Sequence, residues 1–188
     1  MPRLFTALQL PADIAAEIAQ FRGGLPGARW IEPSDYHITL RFIGDIGLQL
    51  AREINSELSH IDHAGISIQI NGLDSFGGKS PRAIFAGVKP SAALSTLQEA
   101  NERAVRRAGV SPETRKFQPH VTIARLRNIA PAAVADYFYA RSTVQSWRFE
   151  AEEFALLSAR ESTGGGPYRV EAVYPLRALP ALRPAISQ

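Results

Sequence analysis

Two short stretches, "HITLRF" from His37 and "HVTIAR" from His120, hold the residue types best suited to chemistry. Each opens on a histidine, followed by an apolar residue, a threonine and a second apolar residue. The copies stand 83 residues apart and use two of only four histidines in 188 residues. In an extended strand, residues two apart project from the same side. His37 and Thr39 therefore share one face of a strand, and His120 and Thr122 one face of another. Imidazole has an unperturbed pKa near 6.5, so one copy can take a proton while another gives one. Each such transfer is worth about 10²–10⁴ in rate. Two imidazoles facing one substrate thus suit cleavage of a phosphodiester, one activating water and the other protonating the departing oxygen. The threonine hydroxyls can donate to the non-bridging phosphoryl oxygens as charge builds there. Such a site calls for no metal and no cofactor.

A single His-x-Thr carries little weight, being short and more often structural than catalytic. Weight comes from its recurrence on strands that occupy matching places in the chain. "RLFTALQL" reads as a strand, "PADIAAEIAQFRGGL" as a helix, and "HITLRFIGD" as the first motif strand. "LQLAREINSELSHI" is a helix and "GISIQINGLDSF" a strand. The order then repeats: strand "RAIFAGVKP", helix "SAALSTLQEANERAVRRAG", motif strand "PHVTIARL", helix "PAAVADYFYAR". "SWRFEAEEFALLSA" is read as one strand, and "PYRVEAVYPL" as another after a flexible "STGGG" loop. The half-polar strands and hairpin-like pairs favour antiparallel sheet. The expected fold is α+β and bilobal: two pseudo-symmetric sheet-plus-helix lobes around a central cleft, each supplying one His-x-Thr strand. One domain is expected over 1–179, with halves near 1–80 and 81–179, and an irregular tail at 180–188.

Net charge is +3, with 21 Lys and Arg against 18 Asp and Glu, a mild bias toward anionic partners. The basic residues gather around the second motif. Arg103, Arg106 and Arg107 fit a solvated helix face, whereas the loop pair Arg115 and Lys116 is better placed to meet an anion. Absence of cysteine removes disulfides and thiolate metal sites. No apolar run spans a membrane and no signal peptide opens the chain, so a cytoplasmic protein is expected. His60 and His63 sit at a helix end, where they cap carbonyls or face water. Asp35 and Asp45 flank the first motif and read as turn residues.

Strand parity refines the candidates. Arg41 shares the side of His37 and Thr39 and is read as supporting charge for the cleft. Phe42 has the parity of the buried side and is read as core in preference to a base-stacking surface. Arg125, five residues after His120, falls on the wrong side for the cleft unless a bulge intervenes or the strand ends near Ala124.

Together "HITLRFIGD", "FQPHVTIAR", "RWIEPSDY" and "GGGPY" resemble the two-histidine (2H) phosphoesterase superfamily. Within it they are most similar to the RNA 2′,3′-cyclic phosphodiesterases of the ThpR/LigT type, formerly called 2′-5′ RNA ligases. The resemblance implies metal-independent hydrolysis of RNA 2′,3′-cyclic phosphate ends to 2′-phosphomonoesters. It implies His37 as general acid, His120 as general base, and Thr39, Thr122 and Arg125 as substrate-binding residues. It also implies RNA 3′ ends as partners, tRNA fragments among them, and a reversal that joins RNA by 2′-5′ linkages. A monomer is expected, with no membrane partner. Two readings compete: a related phosphoesterase acting on small cyclic nucleotides or 2′-5′ linkages, and a non-catalytic RNA-binding module.

Overall fold

The computed structural model describes residues 3–141, 146–159 and 166–178. Its elements run β1 (Arg3–Gln9), α1 (Ala12–Ala19), β2 (Arg29–Trp30), a 3-10 turn (Pro33–Asp35), β3 (His37–Asp45), α2 (Leu48–Ser59) and β4 (Ile66–Phe76). They continue with β5 (Ala83–Val88), α3 (Ala92–Arg107), β6 (His120–Arg125), α4 (Pro131–Tyr139), β7 (Ser146–Ala151), β8 (Glu153–Ala159) and β9 (Tyr168–Pro175). The loop expected at 162–166 lies outside the described residues apart from Gly166, as does the tail at 180–188. Local chemistry sets the helix ends. Ser91 Oγ accepts from Leu94 N (3.2 Å) to cap α3, a contact worth about 1 kcal/mol. Arg106 and Arg107 complement the dipole of its last turn, and Gly109 at φ +100° takes the chain out.

The strands form one antiparallel sheet in the order β7-β4-β5-β6-β3-β1-β8-β9, with β2 also paired to β6. The fold is α+β, with the antiparallel sheet expected. At its centre β3 and β6 meet through a single register pair, Ile38 with Val121. These are the same position in the two motifs, so a pseudo-twofold axis passes between them. It relates β3 to β6, β1 to β5, β8 to β4 and β9 to β7.

Two expectations need correcting in space. The boundary near residue 80 separates repeats in the sequence but not lobes in the structure. β4, from the first repeat, pairs with β5 and β7, while β8, from the second, pairs with β1 and β9. The first repeat thus lends β4 to the second lobe, and the second lends β8 and β9 to the first. The segment 146–159 is also two strands, broken at Glu152 and sent to opposite lobes. No glycine or proline marks that break, so propensity alone reads through it. Burial distinguishes the pieces: β7 alternates as an edge strand covered on one face, whereas β8 is buried almost throughout.

The four helices of the described residues pack on one face of the sheet, contributing Ile18, Ile54, Leu97 and Val134 to the main core. The other face carries a small cluster of Phe5, Ala7, Ala155 and Leu157 with Tyr168 against it. Two β-bulges decide what reaches that second face. Against β1, Thr6 pairs with Arg41 and Ala7 with Thr39, which leaves Leu40 extra. Against β5, Ile84 pairs with Ala124 and Phe85 with Thr122, which leaves Ile123 extra. Each extra residue is the third after its histidine, and each inverts the parity that follows. Arg41 accordingly turns to the helix face, only 5% exposed, and not into the cleft. Phe42, expected in the core, is 40% exposed. Arg125 turns to the face of His120, as a bulge requires.

Candidate functional site

His37, Thr39, His120, Thr122 and Arg125 converge on one cavity of about 60 Å³ over the seam between β3 and β6, completed by Ile31 and Tyr168. The antiparallel register through Ile38 and Val121 brings His37 toward Thr122 and Thr39 toward His120. The four side chains therefore sit at the corners of a rectangle around the pseudo-twofold axis. β2 edges this floor: Arg29 pairs with Arg125, and Ile31 N donates to Ile123 O (2.9 Å).

Both imidazoles are held alike. His37 Nδ1 lies 2.7 Å from Asp35 O, and His120 Nδ1 lies 2.7 Å from Gln118 O. A carbonyl only accepts, so Nδ1 carries the proton in each ring and Nε2 is left for a substrate. Aromatic rings fix the planes. Phe5 (4.9 Å between centroids) and Tyr168 (5.0 Å, edge-on) flank His37, and Phe76 (4.7 Å) and Phe85 (5.5 Å) flank His120.

The two cages are anchored differently. Phe76 and Phe85 belong to neighbouring strands and stack at 4.0 Å. Tyr168 is tied down by Asp35, whose Oδ1 accepts from Tyr168 N at 3.1 Å. Gly166 lies against the same carboxylate: a Cβ there would come within 1.9 Å of Asp35 Oδ2, and φ is +77°. Asp35 is thus more than the turn residue its position suggests. Its carbonyl orients His37 and its carboxylate clasps the start of β9. Sequence reasoning missed Tyr168, Phe5, Phe76 and Phe85 as neighbours of the histidines. "GGGPY" was a visible signal for the first, but the phenylalanines declare themselves only through the register.

Electrostatics are asymmetric as well. Burial pushes the His37 imidazole down to about 4, with the Asp35 carbonyl bond and carboxylate opposing and His120 and Arg125 adding to the shift. Burial also lowers His120, opposed by the Gln118 carbonyl and helped by Arg125. Both shifts disfavour the charged imidazole, and the Arg125 guanidinium shares the cavity with the two rings.

Other candidates stay apart. Arg115 is engaged by Glu113 through Nε (3.1 Å) and Nη2 (2.8 Å), which holds the Glu113 carboxyl down at about 2. Its charge is therefore largely answered within its own loop. Arg103 pairs with Glu99 and Arg107 with Glu57 on the solvated face of α3. His60 closes α2, and His63 Nδ1 bonds Ala64 O (2.7 Å). Asp45 pairs with Arg3 (2.9 Å) at the far end of β3. A larger cavity of about 280 Å³, lined by Gln9–Pro11 and residues 149–155, contains no imidazole, hydroxyl or cation.

A profile described as the 2′-5′ RNA ligase superfamily matches residues 10–163. An RNA 2′,3′-cyclic phosphodiesterase of Geobacillus stearothermophilus is 34% identical over 128 residues, 64% of this chain and 41% of that protein. One from Aeropyrum pernix is 37% identical over 106 residues, 55% of this chain and 60% of its own. The chain thus spans less than two thirds of the length of either. Among solved structures, Escherichia coli LigT complexed with 3′-AMP superposes with a TM-score of 0.75 at 23% identity, covering 94% of this chain and 99% of that one. That likeness bears on the fold. No helix among the described residues is long and apolar enough to cross a membrane.

Proposed function

From a chain that belongs to the 2′-5′ RNA ligase superfamily, we propose an enzyme that hydrolyses RNA 2′,3′-cyclic phosphate ends to 2′-phosphomonoesters. The observation that carries this reading is the twofold pair of imidazoles, each with Nδ1 tied to the carbonyl two residues earlier and Nε2 free for a substrate. A phosphoryl group on the axis has one Nε2 on either side. His120 takes a proton from the attacking water as the new P–O bond forms. His37 gives its proton to the 3′-oxygen as the P–O3′ bond breaks, leaving phosphate on the 2′-oxygen. Thr39 and Thr122 donate to the non-bridging oxygens, and Arg125 balances the charge that gathers there. A 5′-hydroxyl replacing water would give a 2′-5′ linkage instead.

The bound anion is part of the device. Burial and Arg125 disfavour charge on both rings, and a phosphodiester brings the negative charge that favours a protonated imidazole beside it. Protonation is thus coupled to substrate entry, and which ring acts as acid follows from how the substrate lies between them.

A short RNA with a 2′,3′-cyclic phosphate, incubated with excess EDTA and followed by phosphorus NMR, tests the reaction. A 2′-phosphate is expected; an untouched substrate, or a 3′-phosphate product, would overturn it. Cleavage of a cyclic mononucleotide as fast as of an oligomer would move the substrate class to small cyclic nucleotides.

The pH dependence follows from the shifts. kcat/KM reports the free enzyme, and it requires one ring protonated and the other neutral. Since His37 is held near 4 and His120 below its ordinary value, the bell lies on the acidic side of pH 6.5. Its alkaline limb falls as pH rises through the higher of the two values. A kcat/KM optimum above pH 7 would contradict this electrostatic picture.

A further inference from the structure

Asp35 and Gln118 hold corresponding places, two residues before each histidine, and each turns its carbonyl to the ring that follows. Their side chains differ in reach. Gln118 is exposed, whereas the Asp35 carboxylate takes a bond from Tyr168 N (3.1 Å), 133 residues further along the chain. Tyr168 is the first residue of β9, the last strand in the sheet order, and it pairs with Ala159 at the end of β8. A strand end on a sheet edge is a place where backbone order is weak. We propose that Asp35 is a positioning residue for His37 that acts through Tyr168. By holding the head of β9, its carboxylate keeps the Tyr168 ring against the imidazole and the imidazole aimed into the cavity. This rests on the proposed function, in which His37 is one of the two proton carriers.

The contacts form one chain. Tyr168 lies edge-on to His37 (5.0 Å between centroids, 89°) and to Phe5 (5.1 Å, 77°), and Phe5 in turn lies 4.9 Å from His37. Three rings thus close a triangle. Its Phe5 corner is carried by β1, which is flanked by β3 and β8, while its Tyr168 corner stands on the edge strand. Gly166 reserves the space for the clasp, since any Cβ there would fall 1.9 Å from Asp35 Oδ2. Around His120 the rings are held otherwise: Phe76 and Phe85 belong to one ladder, β4 with β5, and stack on each other at 4.0 Å. Covering matters as well as aiming. Burial is the chief cause that holds His37 down at about 4, and the Tyr168 ring is part of that cover. The carbonyl and the charge of Asp35 oppose it, while His120 and Arg125 of β6 add to the lowering. Asp35 therefore acts on His37 in two opposite senses, through space by its charge and through Tyr168 by excluding water.

The test separates those two senses. D35N strips the charge but keeps an oxygen able to accept from Tyr168 N. D35A strips the charge and releases the strand, and Y168A removes the ring. G166A drives a methyl into the same carboxylate and should act as D35A does, so the test survives poor folding of either one. Imidazole resonances of the unliganded protein, assigned by their loss in H37A and H120A, are followed by NMR against pH. His37 should titrate at lower pH in D35N than in the wild type. It should titrate at higher pH in D35A and Y168A than in D35N, because water then reaches the ring. D35A should lower kcat on a 2′,3′-cyclic phosphate end by about 10- to 100-fold with KM little changed, the scale of a displaced catalytic group. D35N should recover most of that loss. The double variant D35A/Y168A should be no slower than the worse single one, since both break one chain of contacts. Equal His37 titration in D35A and D35N, additive losses in the double variant, or an unchanged kcat in D35A would each overturn the clasp. A wild type that leaves cyclic ends intact, with His37 still titrating higher in D35A than in D35N, would sink the proposed reaction and leave the clasp standing.

Discussion

Replacing either His37 or His120 with alanine lowers turnover of a 2′,3′-cyclic phosphate end by about 10²–10⁴-fold, with KM little changed. Each ring handles a different proton, yet neither transfer helps much without the other. The double variant is therefore expected to be only slightly slower than the worse single one, as with groups acting as a unit. Both imidazoles line a cavity and stand outside the main core, so folding should survive and circular dichroism should match the wild type. Steady-state assays with cyclic-phosphate RNA, alongside RNA binding by the same variants, check this. Unchanged RNA binding together with an already inactive wild type would favour a binding module. Full turnover in either variant would remove His/His acid–base catalysis.

The second large effect is on stability. Replacing Glu102 with alanine should cost about 3 kcal/mol, because Arg41 would be left buried without its counter-charge. Glu102 Oε2 accepts from Arg41, and Oε1 accepts from Glu113 N (3.2 Å). One carboxylate thus joins the bulged part of β3 to the loop that runs from α3 toward Gln118, whose carbonyl orients His120. Urea denaturation should show the midpoint falling with little change in slope. For a chain this long the loss corresponds to roughly 6–12 °C in Tm. Combining Glu102→Ala with Arg41→Met should recover most of it, since no charge is then stranded. A single variant within 0.5 kcal/mol of wild type would mean that water reaches Arg41 and the pair is not a buried one.

How far the fold could be read in advance follows from where the information lies. Helix positions come from local punctuation: Pro131 opens α4, Ser91 caps α3 and Gly109 ends it. The motif strands follow from alternation and from their matching places in two repeats. These are short-range effects, written in residue type and spacing. Sheet order is not short-range. Nothing within 146–159 says that β7 and β8 belong to different lobes, because their partner strands, β4 for one and β1 and β9 for the other, lie elsewhere in the chain.

The candidate site divides along the same line. By itself the amino-acid sequence determined that His37 and Thr39, and His120 and Thr122, face together in pairs, since a strand's period of two allows nothing else. The tertiary structure alone decided that the pairs meet, through one register contact between Ile38 and Val121. It also decided which side Arg41, Phe42 and Arg125 take, because a bulge is a property of two strands in register and not of either one. The same inversion removed Arg41 from the cleft, lifted Phe42 out of the core and delivered Arg125 to the cavity. Parity carries as far as the first bulge, and past it only the partner strand says which way a side chain points.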